Sequence, residues 1–135
     1  MKLQPDKFDV QAITGYGPGW IGVGTDRIAH SVIVGSRGER LDWNLSRFDD
    51  LTPAHFAQLA ELAPEVVIFG SGDRIRFPRP AWLRPLVDRR IGLETMDTAA
   101  ACRTYNILAQ EGRHVAVALL VEQPGGAPAP EVGLR

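Results

Sequence analysis

The spacing of apolar residues along the chain changes from strand-like to helix-like and back several times. In the first half, short apolar runs alternate with glycine-rich turns. Residues 20–24 (WIGVG) read as a strand with glycine punctuation. A second strand falls within residues 27–34, where Ser31-Val32-Ile33-Val34 is closed by the turn signal Gly35-Ser36-Arg37-Gly38. Residues 39–44 (ERLDWN) set Leu41 and Trp43 on one side and Arg40 and Asp42 on the other. That period of two predicts a half-buried antiparallel strand.

The pattern then becomes helical. Thr52 is a good N-cap, Pro53 fits the first helical position, and Leu51 and Phe56 have the spacing of a hydrophobic staple. Phe56, Leu59, Ala60 and Ala63 form one face, and Pro64 marks the end. Residues 65–69 (EVVIF) are continuously apolar after Glu65 and predict a strand buried on both faces, ended by Gly70-Ser71-Gly72. Residues 79–90 read as a helix kinked or shortened by Pro85, and residues 91–96 as a short strand. A second firm helix runs from about Thr98 to Gln110, capped by Asp97 or Thr98 and stopped by Gly112. Its apolar face is Ala101, Cys102, Tyr105, Leu108 and Ala109. Residues 114–121 (HVAVALLV) predict a central strand, and residues 123–135, rich in Pro, Gly and Ala, a disordered tail after a domain of residues 1–122. Strands alternating with helices imply an α/β fold with a partly parallel sheet. The early strands either form a separate antiparallel layer or extend that sheet.

Composition narrows the class without naming a function. The chain has 135 residues and a net charge of −1, which is one domain with no global field for nucleic acid or an acidic membrane. One cysteine, Cys102, rules out an internal disulfide. No apolar run is long enough to cross a bilayer, and the N-terminus resembles neither a secretory signal nor an organellar presequence, so a cytoplasmic protein without membrane insertion is expected.

Two segments resemble a known family. They are residues 67–72 (VIFGSG) and residues 92–108 (GLETMDTAAACRTYNIL), the latter followed by Glu111-Gly112-Arg113 and an apolar strand. Across roughly residues 5–122 the chain is similar to the domain of unknown function 498, or Mth-938-like, family. The resemblance implies a three-layer fold around a mixed β-sheet, with additional antiparallel strands from the N-terminal half. Relatives include an assembly factor for mitochondrial respiratory complex I and an adipogenesis-associated protein.

The candidate chemistry lies on two segments, which form one site if the fold brings them to the same sheet edge. Ala99, Arg103, Asn106 and Gln110 form a polar stripe on the last helix. This is either a solvated face or part of a site in which the planar fork of Arg103 meets a carboxylate or phosphate. Gly70, Ser71 and Gly72 follow a buried strand, where a glycine loop turns tightly or lets backbone amides approach a ligand. Together with Thr98 at the helix N-terminus, the loop is expected to cradle an anion or a protein partner. The motif is neither a dinucleotide fingerprint, since Ile75 holds the third glycine's place, nor a P-loop.

The expected site is therefore Gly70, Ser71, Gly72, Thr98, Arg103 and Asn106, with no catalytic set assigned. As a binding or assembly module, it would use Arg103 as anchor and Asn106 as its polar partner. As a small-molecule enzyme, it would need a base, for which Glu94 or Tyr105 are the candidates. His30, His55 and His114 have no metal-ligand spacing, so neither metal nor cofactor is expected. Cys102, on the apolar face, reads as a buried thiol. Arg74, Arg76, Arg79, Arg84, Arg89 and Arg90 form the one basic segment, without the aromatic pattern of a nucleic-acid surface. Ile107, apolar on the polar side of its helix, leaves open a monomer or a weak homo-oligomer.

Overall fold

A computed structural model describes residues 10–123, so the tail expected over residues 123–135 lies outside the described residues except for Gln123. The strands are β1 (Ile13–Gly17), β2 (Trp20–Val23), β3 (Asp26–Ile28), β4 (Val32–Gly35), β5 (Arg40–Asp42), β6 (Val66–Gly70), β7 (Gly92–Met96) and β8 (Val115–Leu119). The α-helices are α1 (Pro53–Ala60), α2 (Arg84–Asp88) and α3 (Thr98–Gln110), with single 3-10 turns at Phe48–Asp50 and Pro80–Leu83. β1, β2 and β3 form an antiparallel three-stranded sheet; the other five strands form a mixed sheet in the order β5-β4-β8-β6-β7. β6 runs parallel to both β7 and β8, and β4 runs antiparallel to β8. The early strands thus do both things that their sequence allows: three make a separate layer and two extend the main sheet.

Strand β8 shows why the main sheet must be covered on both faces. Val115, Val117 and Leu119 point to one side, against Ile68, α3 and the small sheet. Ala116, Ala118 and Leu120 point to the other, against Trp43, Phe56, Leu59, Phe69, Trp82 and Leu86. A side-chain period of two places alternate residues in different cores, so a strand apolar at every position can only be central. On the second face Trp43 is the hub. Its ring meets Phe56 and Phe69 edge-on at 6.0 and 5.8 Å, and its indole N–H donates to the His55 carbonyl at 3.1 Å.

Three local expectations change. Helix α1 stops at Ala60 rather than running to Pro64, because Pro64 disfavours helical backbone at the residue before it, and Ala63 turns left-handed at φ +52°. Residues 79–90 do not form one kinked helix. Each proline opens its own element, Pro80 in the 3-10 turn and Pro85 in the first turn of α2, where neither removes a needed donor. Leu41 and Trp43 share a side but not a depth. Leu41 lies opposite Ile33 on an edge strand and is 38% exposed, whereas Trp43, just beyond the strand, is 1% exposed. The period gives the side; the overhang of the edge decides the burial.

Helix α3 begins as expected, with the Asp97 carboxylate accepting from the Ala100 amide at 2.8 Å. Its buried face is Ala101, Cys102, Tyr105 and Ala109. The Tyr105 hydroxyl donates to the Gln11 carbonyl at 2.6 Å, and burial raises its pKa above the ordinary range. Histidines serve the frame. His55 Nδ1 accepts the Thr52 amide, completing the start of α1, and the buried His114 meets Glu39 at 2.8 Å. Burial works to raise the Glu39 carboxyl, but hydrogen bonds led by His114 outweigh it and hold it below its ordinary value.

Candidate functional site

The residues picked out in the sequence converge at one corner, but most of them face each other rather than solvent. Strand β6 ends at Gly70, directly beneath the start of α3. A Cβ at Gly70 would lie 2.9 Å from Leu119 Cδ2, 3.0 Å from Ala101 Cβ and 3.2 Å from Thr98 Cα. Glycine here lets a helix, not a ligand, approach the strand. Ser71 is fully buried. Its hydroxyl accepts from the Arg76 amide at 2.8 Å and lies 2.9 Å from the Arg74 carbonyl, within donating range. Gly72 has φ +107°, a conformation that L side chains resist, and it exchanges two bonds with Thr98. Its amide donates to Thr98 Oγ1 at 2.9 Å, and its carbonyl accepts from the Thr98 amide at 2.9 Å.

These bonds change the chemistry expected of the loop. The amides of Ser71, Gly72, Thr98 and Ala100 are already taken by Met96 O, Thr98 Oγ1, Gly72 O and Asp97 respectively. These bonds form a structural lock between β6 and α3. Asn106 is likewise engaged. Its Oδ1 accepts the Ile13 amide at 2.9 Å and its Nδ2 donates to the Ile13 carbonyl at 2.8 Å. It clasps β1 to α3 and does not sit beside Arg103 as a ligand partner.

Arg103 stays exposed and donates to the Tyr16 hydroxyl at 2.9 Å. Tyr16 is on the wall of a cleft of about 320 Å³, between the turn joining β1 to β2, the Gly72–Asp73 loop and the first turn of α3. Trp20, Asp97, Thr98 and Glu122 also line it. The Arg27 guanidinium covers the Trp20 ring at 3.8 Å. The walls thus combine two aromatic residues with Asp73, Asp97 and Glu122; Arg27 covers the Trp20 ring and Arg103 bonds the Tyr16 hydroxyl. Glu94 is exposed on strand β7, and Tyr105 is buried with its hydroxyl bonded to Gln11; neither candidate base lines the cleft.

Tyr16, Trp20, Arg27, Asp73 and Glu122 were not singled out by sequence. The signal was present in residues 15–20 (GYGPGW), where two aromatics bracket a Gly-Pro-Gly turn. An aromatic on each side of such a turn is presented at a loop, where binding residues concentrate.

Other candidates resolve individually. Among the described residues, no group of three or more His, Cys, Asp or Glu side chains could hold a metal ion, and no helix is long and apolar enough to cross a membrane. The basic segment is dispersed. Arg76 pairs with Glu122 at 2.6 Å, Arg84 with Asp88 at 3.2 Å, Arg79 lies over Trp82, and Arg89 donates to the Ala60 carbonyl. Cys102 is 1% exposed, and burial pushes its thiol up to about 12 from an ordinary 9.0, with the neighbouring Arg103 charge acting the other way. Because each unit of pKa costs a factor of ten in thiolate at neutral pH, iodoacetamide should react about a thousandfold more slowly with folded chain than with chain unfolded in urea. Mass spectrometry of timed aliquots checks this, and rapid alkylation of the folded chain would contradict the buried assignment.

With this geometry in place, the comparisons with known proteins become specific. A sequence profile described as "Protein of unknown function (DUF498/DUF598)" matches residues 13–120. The chain belongs to the DUF498/DUF598 family. The matched span runs from β1 through the end of β8 and contains the corner except Val121 and Glu122. Within the curated proteins, the chain is 40% identical over 88 residues to NADH dehydrogenase [ubiquinone] 1 alpha subcomplex assembly factor 3 of Bos taurus, covering 64% of this chain and 47% of that protein. The human protein of the same name is 34% identical over 108 residues, covering 78% and 54%. The chain therefore spans about half the length of these curated relatives. Among solved structures, an Mth938-like domain from Bordetella pertussis superposes with a TM-score of 0.77 at 34% identity, covering 91% of this chain and 94% of that one. The three-layer fold around a mixed sheet is thus Mth938-like, as the sequence resemblance implies.

Proposed function

We propose that this DUF498/DUF598 chain is a protein-binding module of the assembly-factor kind, acting in the assembly of a respiratory complex. We further propose that it meets its partner at the exposed corner formed by Arg103, Tyr16 and the adjoining cleft. The observation that carries the first part is the similarity to complex I assembly factors across most of this chain. The second part rests on the division of labour at the corner. Gly70, Ser71, Thr98 and Asn106 hold strands to α3, which leaves Arg103 and Tyr16 as its presented side chains. Arginine and tyrosine are the residue types that most often dominate protein interfaces. Asp97 and Glu122 on the cleft wall are engaged by the Ala100 amide and by Arg76, so the exposed Arg103 guanidinium is the group that a partner's acceptor would meet. A cytoplasmic site of action belongs to this proposal and is supported by the single cysteine, Cys102, which is buried as a free thiol.

The test is affinity capture from the host with wild type and Arg103→Ala as baits. Arg103 is exposed and, among the described residues, its one side-chain bond goes to an exposed tyrosine's hydroxyl, so the substitution should change stability by less than about 0.5 kcal/mol. The expected result is a respiratory-complex subunit or assembly protein recovered with wild type and reduced at least about tenfold with the variant, as for an interface hot spot. Equal recovery by both baits would remove Arg103 from the interface.

A further inference from the structure

We infer that residues 74–79, next to the cleft, form a second docking element, which inserts Phe77 and Ile75 into an apolar depression on a protein partner whose rim is acidic. Phe77 is 70% exposed and Ile75 48% exposed, and Phe77 is the most exposed large apolar side chain among the described residues. Neither residue is near the Arg103–Tyr16 pair by any bond, and neither lines the cleft.

The exposure is built rather than incidental. Along this segment burial alternates: Ile75 out, Arg76 in, Phe77 out, Pro78 in. Arg76 is the internal strut. Its guanidinium donates to the Ser71 carbonyl at 2.6 Å and to Glu122 at 2.6 Å, and lies 4.9 Å from the centre of the Phe48 ring. Its amide donates to the buried Ser71 hydroxyl. Glu122 in turn accepts the Phe48 amide at 3.2 Å. Arg76 is tied inward from both backbone and side chain, and the residues on either side of it are exposed. An aromatic ring held in solvent by a rigid loop has already lost the freedom that binding would otherwise take from it, which favours recognition.

The charge around the ring selects the partner. Arg74 and Arg79 flank Ile75 and Phe77 and are exposed. Arg74 has no ion pair among the described residues, and Arg79 lies over the Trp82 ring at 5.4 Å. The segment itself holds no acid, and Asp73 precedes it. A complementary surface therefore offers an apolar hollow with Asp or Glu at its edge. This goes beyond the proposed function, because it assigns Ile75 and Phe77, which do not line the cleft, and its outcome is read at another residue.

The experiment replaces Phe77 with the photoreactive p-benzoyl-phenylalanine in the full chain expressed in its host, with the same replacement at Val87 as control. Val87 is 63% exposed, on α2, and does not line the cleft. After irradiation the crosslinked peptide is sequenced by mass spectrometry, with and without Arg74→Glu. The expected result is an adduct at position 77, absent at 87, to a protein segment in which Asp or Glu flanks apolar residues. Charge reversal at Arg74 should lower its yield at least about threefold, since rim charges set encounter rates. Arg74 is solvent-facing and, among the described residues, bonds through its backbone carbonyl alone, so this change leaves the fold intact. An adduct to lipid, to a second copy of this chain, to a segment lacking acidic residues, or one indifferent to Arg74→Glu overturns it. So does a yield at 77 no higher than at 87.

Discussion

Gly70→Ala should destabilise the protein by about 2–3 kcal/mol, and Gly70→Val by more, because added methyl groups in a filled core force backbone to shift. The new Cβ would sit 2.9 Å from Leu119 Cδ2, 3.0 Å from Ala101 Cβ and 3.2 Å from Thr98 Cα. The leucine methyl can swing away. Thr98 Cα cannot, since that residue opens α3 and is bound to Gly72 at both its amide and its hydroxyl. The helix must lift, and lifting it strains the lock beside the cleft. Chemical denaturation monitored through the buried Trp43 measures the loss. Ala101→Gly in the Gly70→Ala background should recover part of it, by removing one of the three obstructing atoms. A Gly70→Ala protein as stable as wild type would show that the helix does not pack this closely.

Asn106→Ala should cost about 2–4 kcal/mol, because it breaks two hydrogen bonds and leaves a backbone amide and carbonyl without partners. Both bonds go to Ile13, whose side chain is 5% exposed, so β1 loses its attachment to α3. Only one orientation of the carboxamide satisfies both groups, so Asn106→Asp should also be destabilising, with its carboxylate facing the Ile13 carbonyl. Urea denaturation gives the magnitude. Hydrogen exchange should show the loss concentrated at residues 12–17. A variant of unchanged stability that loses a binding partner would return Asn106 to the role of a contact residue.

These two residues also show how far the sequence reaches. Helix α3 and strands β6 and β8 were legible because their information is local: a cap three residues before the amide it satisfies, an apolar period, a run with no polar position. Strand β1 was not legible. It is five residues with two glycines, and its burial alternates because the small sheet is covered on one face. The location of the corner was legible in outline, since Gly70, Ser71, Gly72 and Thr98 all meet there. The roles were not. Gly72 meets Thr98 across 26 positions, Asn106 meets Ile13 across 93, and Arg103 meets Tyr16 across 87. Neither helical period nor motif spacing encodes which distant backbone group a polar side chain will find. Asn106 on a polar stripe looks the same whether it faces water or clasps a strand. The bonding of the glycine loop was hidden for a related reason: amides in a glycine-rich loop after a buried strand stay free only if no neighbouring group claims them, and here Thr98 Oγ1 takes that of Gly72.

The central claim is that a protein partner covers the Arg103–Tyr16 corner while the residues beneath it hold the frame. Hydrogen exchange of the full chain, alone and bound to the protein recovered by wild-type capture, tests this most directly. The account predicts slowed exchange in residues 15–20 and 99–104, with the β5 edge unchanged. Protection confined to β5 and α1, with the turn at residues 15–20 exchanging as in the free chain, would contradict it.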